Sequence, residues 1–348
     1  MINKHNQKQD GGDKSTNLQA QMITINQGIS YSDAKEIATD VFKNNFLELS
    51  KSAFEKAEAR ASELIDNFIE KIKCEKPESI KSVETPSMQY ALFSAQKEYA
   101  KTGDKDLGDI LVDLLVERAD KEERSLIQIV LDESIEVSSK LTNPQFDVLS
   151  LVFLLKYTMN HKLGDLEKFK NYILTYLVPF CDNLTQEDSC YQHLEYSRCA
   201  SILIGPQIGE VFRENYKGLF QKGHTKEQLN QNPGEYSNIP DLFIPCIRDQ
   251  NLIQVRAYND KSLDDLLESK DIPLGDKSKI KTLFSSNILS DNEIQDYIKS
   301  IHPKIEQLVK VWNETMHQVN LTSVGIALAR ANIKRKSNID LDLKLWIK

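Results

Sequence analysis

The chain has 348 residues, of which 40% are hydrophobic and 28% charged, and its net charge is -8, with a pI near 5.4 and a mean hydropathy of -0.45. That length exceeds the roughly 250 residues one core usually serves, so two or three packed helical subdomains are expected. The composition excludes a disordered chain, the absence of any run near ~18 apolar residues excludes a membrane span, and the acidic balance excludes broad contact with nucleic-acid backbone.

Met1 to Lys14 is polar, contains Gly11-Gly12 and reads as a flexible tail. It contains no apolar h-region, so the cytoplasm is the expected setting. The next stretch, STNLQAQMITINQGISYS (Ser15 to Ser32), carries no charged residue. Leu18, Ala20 and Met22 share one phase of a period-2 pattern and Ile23 and Ile25 take the other, which predicts two short strands or one with a bulge. Residues 1–30 are thus a tail and an uncharged, β-prone segment. Free of Pro and rich in side-chain amides, the segment meets what in-register stacking between copies requires; it equally suits an edge strand within the monomer, or a linker. From 31 to 76, Ile37, Val41, Phe46, Leu49, Ala53, Ala57, Ala61, Leu64, Phe68 and Ile72 recur at helical spacing. This predicts one long amphipathic helix, or two joined nearly in line, opened by Ser32 or Asp33 with Glu36 as capping partner. The self-association surface assigned from these patterns comprises Leu18, Gln19, Ala20, Gln21, Met22, Ile23, Ile25, Val41 and Phe46.

Residues 86–222 predict a helical core. Helices are expected over Met88–Lys101, from Leu107 through the Ile110, Leu111, Leu114, Leu115 stripe, over Ser125–Ser139, over Asn143–Asn160 with Asn143-Pro144 at its start, and over Leu166–Leu177. Asp106, Asp109, Asp113 and Glu117 fall opposite the leucine stripe, where a solvated face belongs; magnesium ligation is the less favoured use. Ala200–Ile204 suits a strand, Gly205-Pro206 a turn, and Ile208, Val211, Phe212 and Tyr216 a helix, which together suggest a winged-helix-like end. Ile208-Gly209 aligns with Val324-Gly325, an echo of the same unit near the C-terminus. In residues 223–348 DLFIPCI and NLIQVRAYN flank Arg248-Asp249-Gln250 as a hairpin whose Pro245 belongs at an edge. A helix over Glu293–Gln318, kinked at Pro303, leads to a terminal helical unit. The expected fold class is mainly α: a multi-helix protein with a short N-terminal β segment, winged-helix-like units and a small β-hairpin.

Chemistry is sparse. Five scattered cysteines form no disulfide framework. Cys181, Cys190, His193 and Cys199 are a weak zinc candidate, because only Cys190-x-x-His193 has chelating spacing and cysteine also favours burial as a small hydrophobe. No G-x-S-x-G, H-E-x-x-H, P-loop or G-x-G-x-x-G occurs, so no cofactor is called for. His193 and His224 are the places where an unrecognised hydrolytic site would be sought. Arg330, Lys334, Arg335 and Lys336 form the one basic run able to meet phosphates, though cations at a helix C-terminus also complement its dipole.

GDKSTNLQAQMITINQGISYSDAKEIATDVFKNNF, PSMQYALFSAQKEYAKTGDKDLGDILVDLLVERA, VLSLVFLLKYT and YQHLEYSRCASILIG resemble an uncharacterised bacterial family with a locus-derived name (LPO/Vpar type) over nearly the whole chain. More remotely, the order of helix pairs and the terminal LTSVG turn into a helix is similar to abortive-infection alpha-type proteins. That resemblance implies an accessory role in bacterial phage defence and brings no catalytic residues. The expected function is a non-enzymatic, self-associating interaction protein whose partner is its own copy and which has no membrane partner. A nucleic-acid-binding regulator is the second expectation and a hydrolase the third.

Overall fold

Between Tyr31 and Glu75 the chain folds back on itself. The computed structural model describes residues 29–45, 50–121, 124–230, 239, 241–270 and 272–348, and its first elements are α1 (Tyr31–Asn45) and α2 (Lys51–Glu75). Lys35 of α1 pairs with Asp66 of α2 and Lys43 with Glu58 at 3.0 Å, so the two helices run antiparallel. A continuous or in-line helix over 31–76 is therefore corrected. Ala34 and Ala38 on one half, and Ala57 and Ala61 on the other, are buried; such small side chains let two helix faces approach closely and close their apolar stripes against each other. The cap is also displaced from its expected place: Ser30 and Asp33 exchange backbone-to-side-chain hydrogen bonds at 3.0 and 3.1 Å, a reciprocal capping arrangement.

The helices predicted next are present with recognisable boundaries. α3 (Pro86–Thr102) starts after a Thr85 cap and stops at Gly103, whose φ of 66° suits glycine. α4 (Lys105–Ala119) is capped by Asp104 and α5 (Leu126–Ser138) by Ser125. α6 (Asn143–Val152) is capped one residue earlier than expected, by Thr142, whose N–H donates to Gln145 Oε1 at 3.0 Å. It then widens into a π-helical turn, Phe153–Tyr157. α7 (Leu166–Tyr172) also runs into a π-helical turn, Ile173–Leu177.

After α8 (Asp188–Tyr196) the strand β1 (Ala200–Ile202) precedes α9 (Ile208–Tyr216). Its partner is not a neighbouring wing. It pairs antiparallel with the strand Val319–Leu321, in the register Ala200–Leu321, Ser201–Asn320 and Ile202–Val319. The short α10 (Lys226–Asn230) is followed by β2 (Phe243–Pro245) and β3 (Ile253–Val255), which form the predicted hairpin. α11 (Asp260–Ser269) and α12 (Leu274–Ser285) close over it, around Leu242, Val255, Leu263, Leu267, Ile280 and Phe284. The expected kinked helix is two helices, α13 (Asp291–Lys299) and α14 (Lys304–Glu314), with Pro303 at the start of the second.

β4 (Val319–Leu321) leads into α15 (Ser323–Ser337), so both aligned segments, Ile208-Gly209 and Val324-Gly325, open a helix that follows one of the two paired strands. A Cβ on Gly325 would lie 2.0 Å from Cys199 O, which only glycine avoids. α15 packs against α4, α5 and α6 and is buried from Val324 to Ile333 on every side, as a helix at the centre of a core must be. The protein is mainly α, with two small antiparallel sheets among the described residues. Among the described residues no helix is long and apolar enough to cross a membrane.

Candidate functional site

A helix buried all round that carries Arg330 and Asn332 must bring partners for them. Arg330, 3% exposed, pairs with Asp113, 2% exposed, and with Asp340. Its Nε also donates to Leu341 O at 3.1 Å. Lys334 reaches Glu75 at 2.6 Å and Asp113 at 3.1 Å; Arg335 reaches Asp106 at 2.5 Å; Lys336 reaches the buried Asp147 at 2.7 Å. Asn332 donates to Asp147 and Ser150. The basic run thus faces the acidic side of α4, with Asp147 of α6 beside it. This corrects the solvated face expected of α4: Asp113 and Glu117 are buried, and Asp109 alone stays exposed between Leu107 and Ala119. Burial opposes ionisation of Glu117, yet hydrogen bonds from Lys121 and Lys76 and the field of Arg330 outweigh it and hold its carboxyl down at about 2.

The cysteine candidates do not converge. Among the described residues no group of three or more His, Cys, Asp or Glu side chains is placed to hold a metal ion. Cys181 Sγ donates to Leu177 O and Cys199 Sγ to Ser197 O, and burial pushes these thiols up to about 12 and that of Cys190 to about 11. They are packed as protonated, small apolar groups. His193 Nδ1 lies 3.0 Å from Gln145 Nε2. His224 is buried in the strand-like segment bridged to Ile253, and burial lowers its pKa. Of the self-association residues, Leu18, Gln19, Ala20, Gln21, Met22, Ile23, Ile25 and Phe46 lie outside the described residues; Val41 is half-buried on α1.

What the structure does assemble is a cleft beside β4. Its volume is about 830 Å³, and Lys156, Tyr157, Ile204, Gly205, Glu210 and Glu214 are among its lining residues. The π-helical turn supplies the floor. A π turn re-aims side chains relative to the α-helix before it, and here Lys156 Nζ donates to His317 O at 2.7 Å and Val319 O at 2.8 Å, while Tyr157 Oη accepts from Leu321 N at 2.8 Å. These side chains occupy the outward edge of β4, where a third strand would otherwise bond. On the other strand Ile202 N donates to Glu195 Oε1. The Leu203–Gln207 loop is fixed by Leu203 N to Gln318 O at 2.8 Å and by the Trp312 indole to Pro206 O at 3.1 Å. Ile204 is nevertheless 98% exposed, Tyr196 85% and Leu203 61%. The sequence conceals Lys156 near the end of the apolar run Val148–Thr158; a single cation after eight mostly apolar residues was the available signal.

A family model whose description is only a "-like" designation, for an uncharacterised, locus-named family, matches residues 28–347. The chain belongs to that family. No curated protein and no solved structure matches it.

Proposed function

We propose that this family member is a non-enzymatic interaction protein that self-associates, with an abortive-infection-like phage-defence setting. The observation that carries this proposal is the exposure of Tyr196, Leu203 and Ile204. Large apolar side chains are exposed on a backbone whose loop is tied down at both ends. Holding apolar groups rigidly in water serves no folding purpose and lowers the ordering cost of binding a partner. Strand addition within the same monomer has few openings, since Lys156 and Tyr157 meet the edge of β4 and His224 bridges to Ile253 of β3. The uncharged Leu18–Ile25 segment then has other copies as its natural partners.

Light scattering after size exclusion on the full chain, on residues 29–348 and on Leu203→Asp/Ile204→Asp tests this. The expected result is an assembly above the 39.8 kDa of one chain that shrinks in either variant. A monomeric full-length chain would overturn it. Phage plating on cells with and without the protein tests the defence setting separately.

A further inference from the structure

We propose that Lys156 is a reactive amine that captures a small neutral aldehyde or ketone as an imine, in the cleft between the π-helical turn and α9. Lys156 is half-buried, lines a cleft of about 830 Å³, and forms no ion pair with a carboxylate of the described residues. Contrast Lys71, Lys76, Lys217 and Lys334, each of which packs against a carboxylate within 3.1 Å. A desolvated lysine left without a counter-ion is the arrangement that favours its neutral, nucleophilic form. The two carbonyls that hold it favour the ammonium, but they do not require it. A neutral amine keeps two N–H groups, enough for His317 O and Val319 O, and frees its lone pair as the fourth substituent. Burial accordingly brings Lys156 down to about 8, and the Trp312 ring 5.8 Å away is the other feature at its Nζ that favours the cation.

The cleft has the remaining parts. Its volume lies in the range of small-molecule sites. Asn215 and Asn320 donate to Leu155 O at 3.4 Å and Gln318 O at 3.1 Å, each keeping a second N–H for a carbonyl ligand, and Glu210 and Glu214 stand along the α9 wall. Those carboxylates disfavour an anionic ligand. In the step itself the Nζ lone pair attacks the carbonyl carbon, and a C–N bond forms as the C=O π pair moves to oxygen. Proton transfer from nitrogen to oxygen gives a carbinolamine, and loss of its hydroxyl with the second amine proton releases one water and leaves the C=N bond. No oxidant or reductant is consumed. Imine formation withdraws both N–H groups from His317 O and Val319 O, while Tyr157 Oη still holds Leu321 N.

The test is propanal with the full-length chain across pH 6–10, trapped with sodium borohydride and read by peptide mass spectrometry. Lys156 is expected to label about tenfold faster than the exposed Lys162 at pH 7.5, with a pH midpoint near 8 and not near the ~10.4 of an ordinary lysine. Lys156→Arg should remove that labelled peptide and leave Lys162 unchanged. Labelling of Lys156 no faster than Lys162, or with an ordinary lysine midpoint, would overturn the proposal.

Discussion

Replacing Asp113 by Ala removes the carboxylate on which three cations converge. Arg330, Lys71 and Lys334 all pair with it, and Arg330 is 3% exposed, so water cannot take the carboxylate's place. Breaking a buried pair from one side costs ~3–5 kcal/mol, mainly because the remaining charge stays buried. Arg330 keeps Asp340 and Lys334 keeps Glu75, which places Asp113→Ala near ~3 kcal/mol, the lower end of that range. Denaturant unfolding followed by circular dichroism gives the midpoint shift. Arg330→Met should cost a similar amount, and Asp113→Leu with Arg330→Met should recover much of it, because the pair is then replaced by apolar groups of similar size. A loss below ~1 kcal/mol for Asp113→Ala, the value of an exposed pair, would refute the view that this network is a buried core element. So would a double variant whose cost equals the sum of the singles.

Two further outcomes follow from specific geometry. A Cβ at position 205 would sit 1.9 Å from His317 O and 2.9 Å from Lys156 Nζ, so Gly205→Ala should cost roughly 1–3 kcal/mol by overpacking; unfolding indistinguishable from the parent protein would show that the Leu203–Gln207 loop is not fixed as described. Glu117 has its carboxyl held at about 2 against an ordinary 4.5. Its contribution is therefore complete above pH ~4.5 and is lost as pH falls toward 2, amounting at most to something on the order of 3 kcal/mol. Glu117→Gln should lower neutral-pH stability and flatten the acid limb of the stability curve between pH 5 and 2; an unchanged acid limb would mean that other carboxylates govern it.

Local signals in the sequence are those the structure reproduces. Thr85-Pro86 opens α3, Ser125 caps α5, and Pro245 sits in the predicted hairpin of β2 and β3, because a cap or a proline acts on its own few residues. The turn between α1 and α2 carries no Pro or Gly to announce it, and the alanine faces that make it favourable are visible only once the two helices are laid together. The pairing of the two charged runs was hidden for a related reason. Asp106, Asp113 and Glu117 look like a solvent face, and Arg330 to Lys336 like an anion site, when each is read alone; in space they neutralise each other across sequence gaps of more than 200 residues. Helical periodicity counts 3.6 residues per turn, so it also missed the π turn that directs Lys156 toward β4.

The same pairing sets terms for any nucleic-acid role. To bind a phosphate, Lys334 must leave Glu75 and Asp113, and Lys336 must leave Asp147, which is 1% exposed. The departure of Lys336 leaves the buried Asp147 with Asn332 and no cation, at a cost of kilocalories that one phosphate contact has to exceed, whereas Asp113 keeps Arg330 and Lys71 when Lys334 leaves. Arg330 is worse placed still, buried beneath Leu341. Arg335 differs in its acidic partner, since Asp106 is 46% exposed at the side chain and water can replace the cation there, but Arg335 also donates to the buried Asn332 Oδ1 at 2.8 and 3.2 Å. Simultaneous loss of Lys334, Arg335 and Lys336 would mix unfolding with lost binding, so Arg335→Ala is read beside its own unfolding midpoint, because it also unpairs Asn332 Oδ1. Binding through the basic run therefore has to enter at Arg335, and one cation of this kind gives a salt dependence near a single counter-ion, far below that of proteins built to hold a duplex.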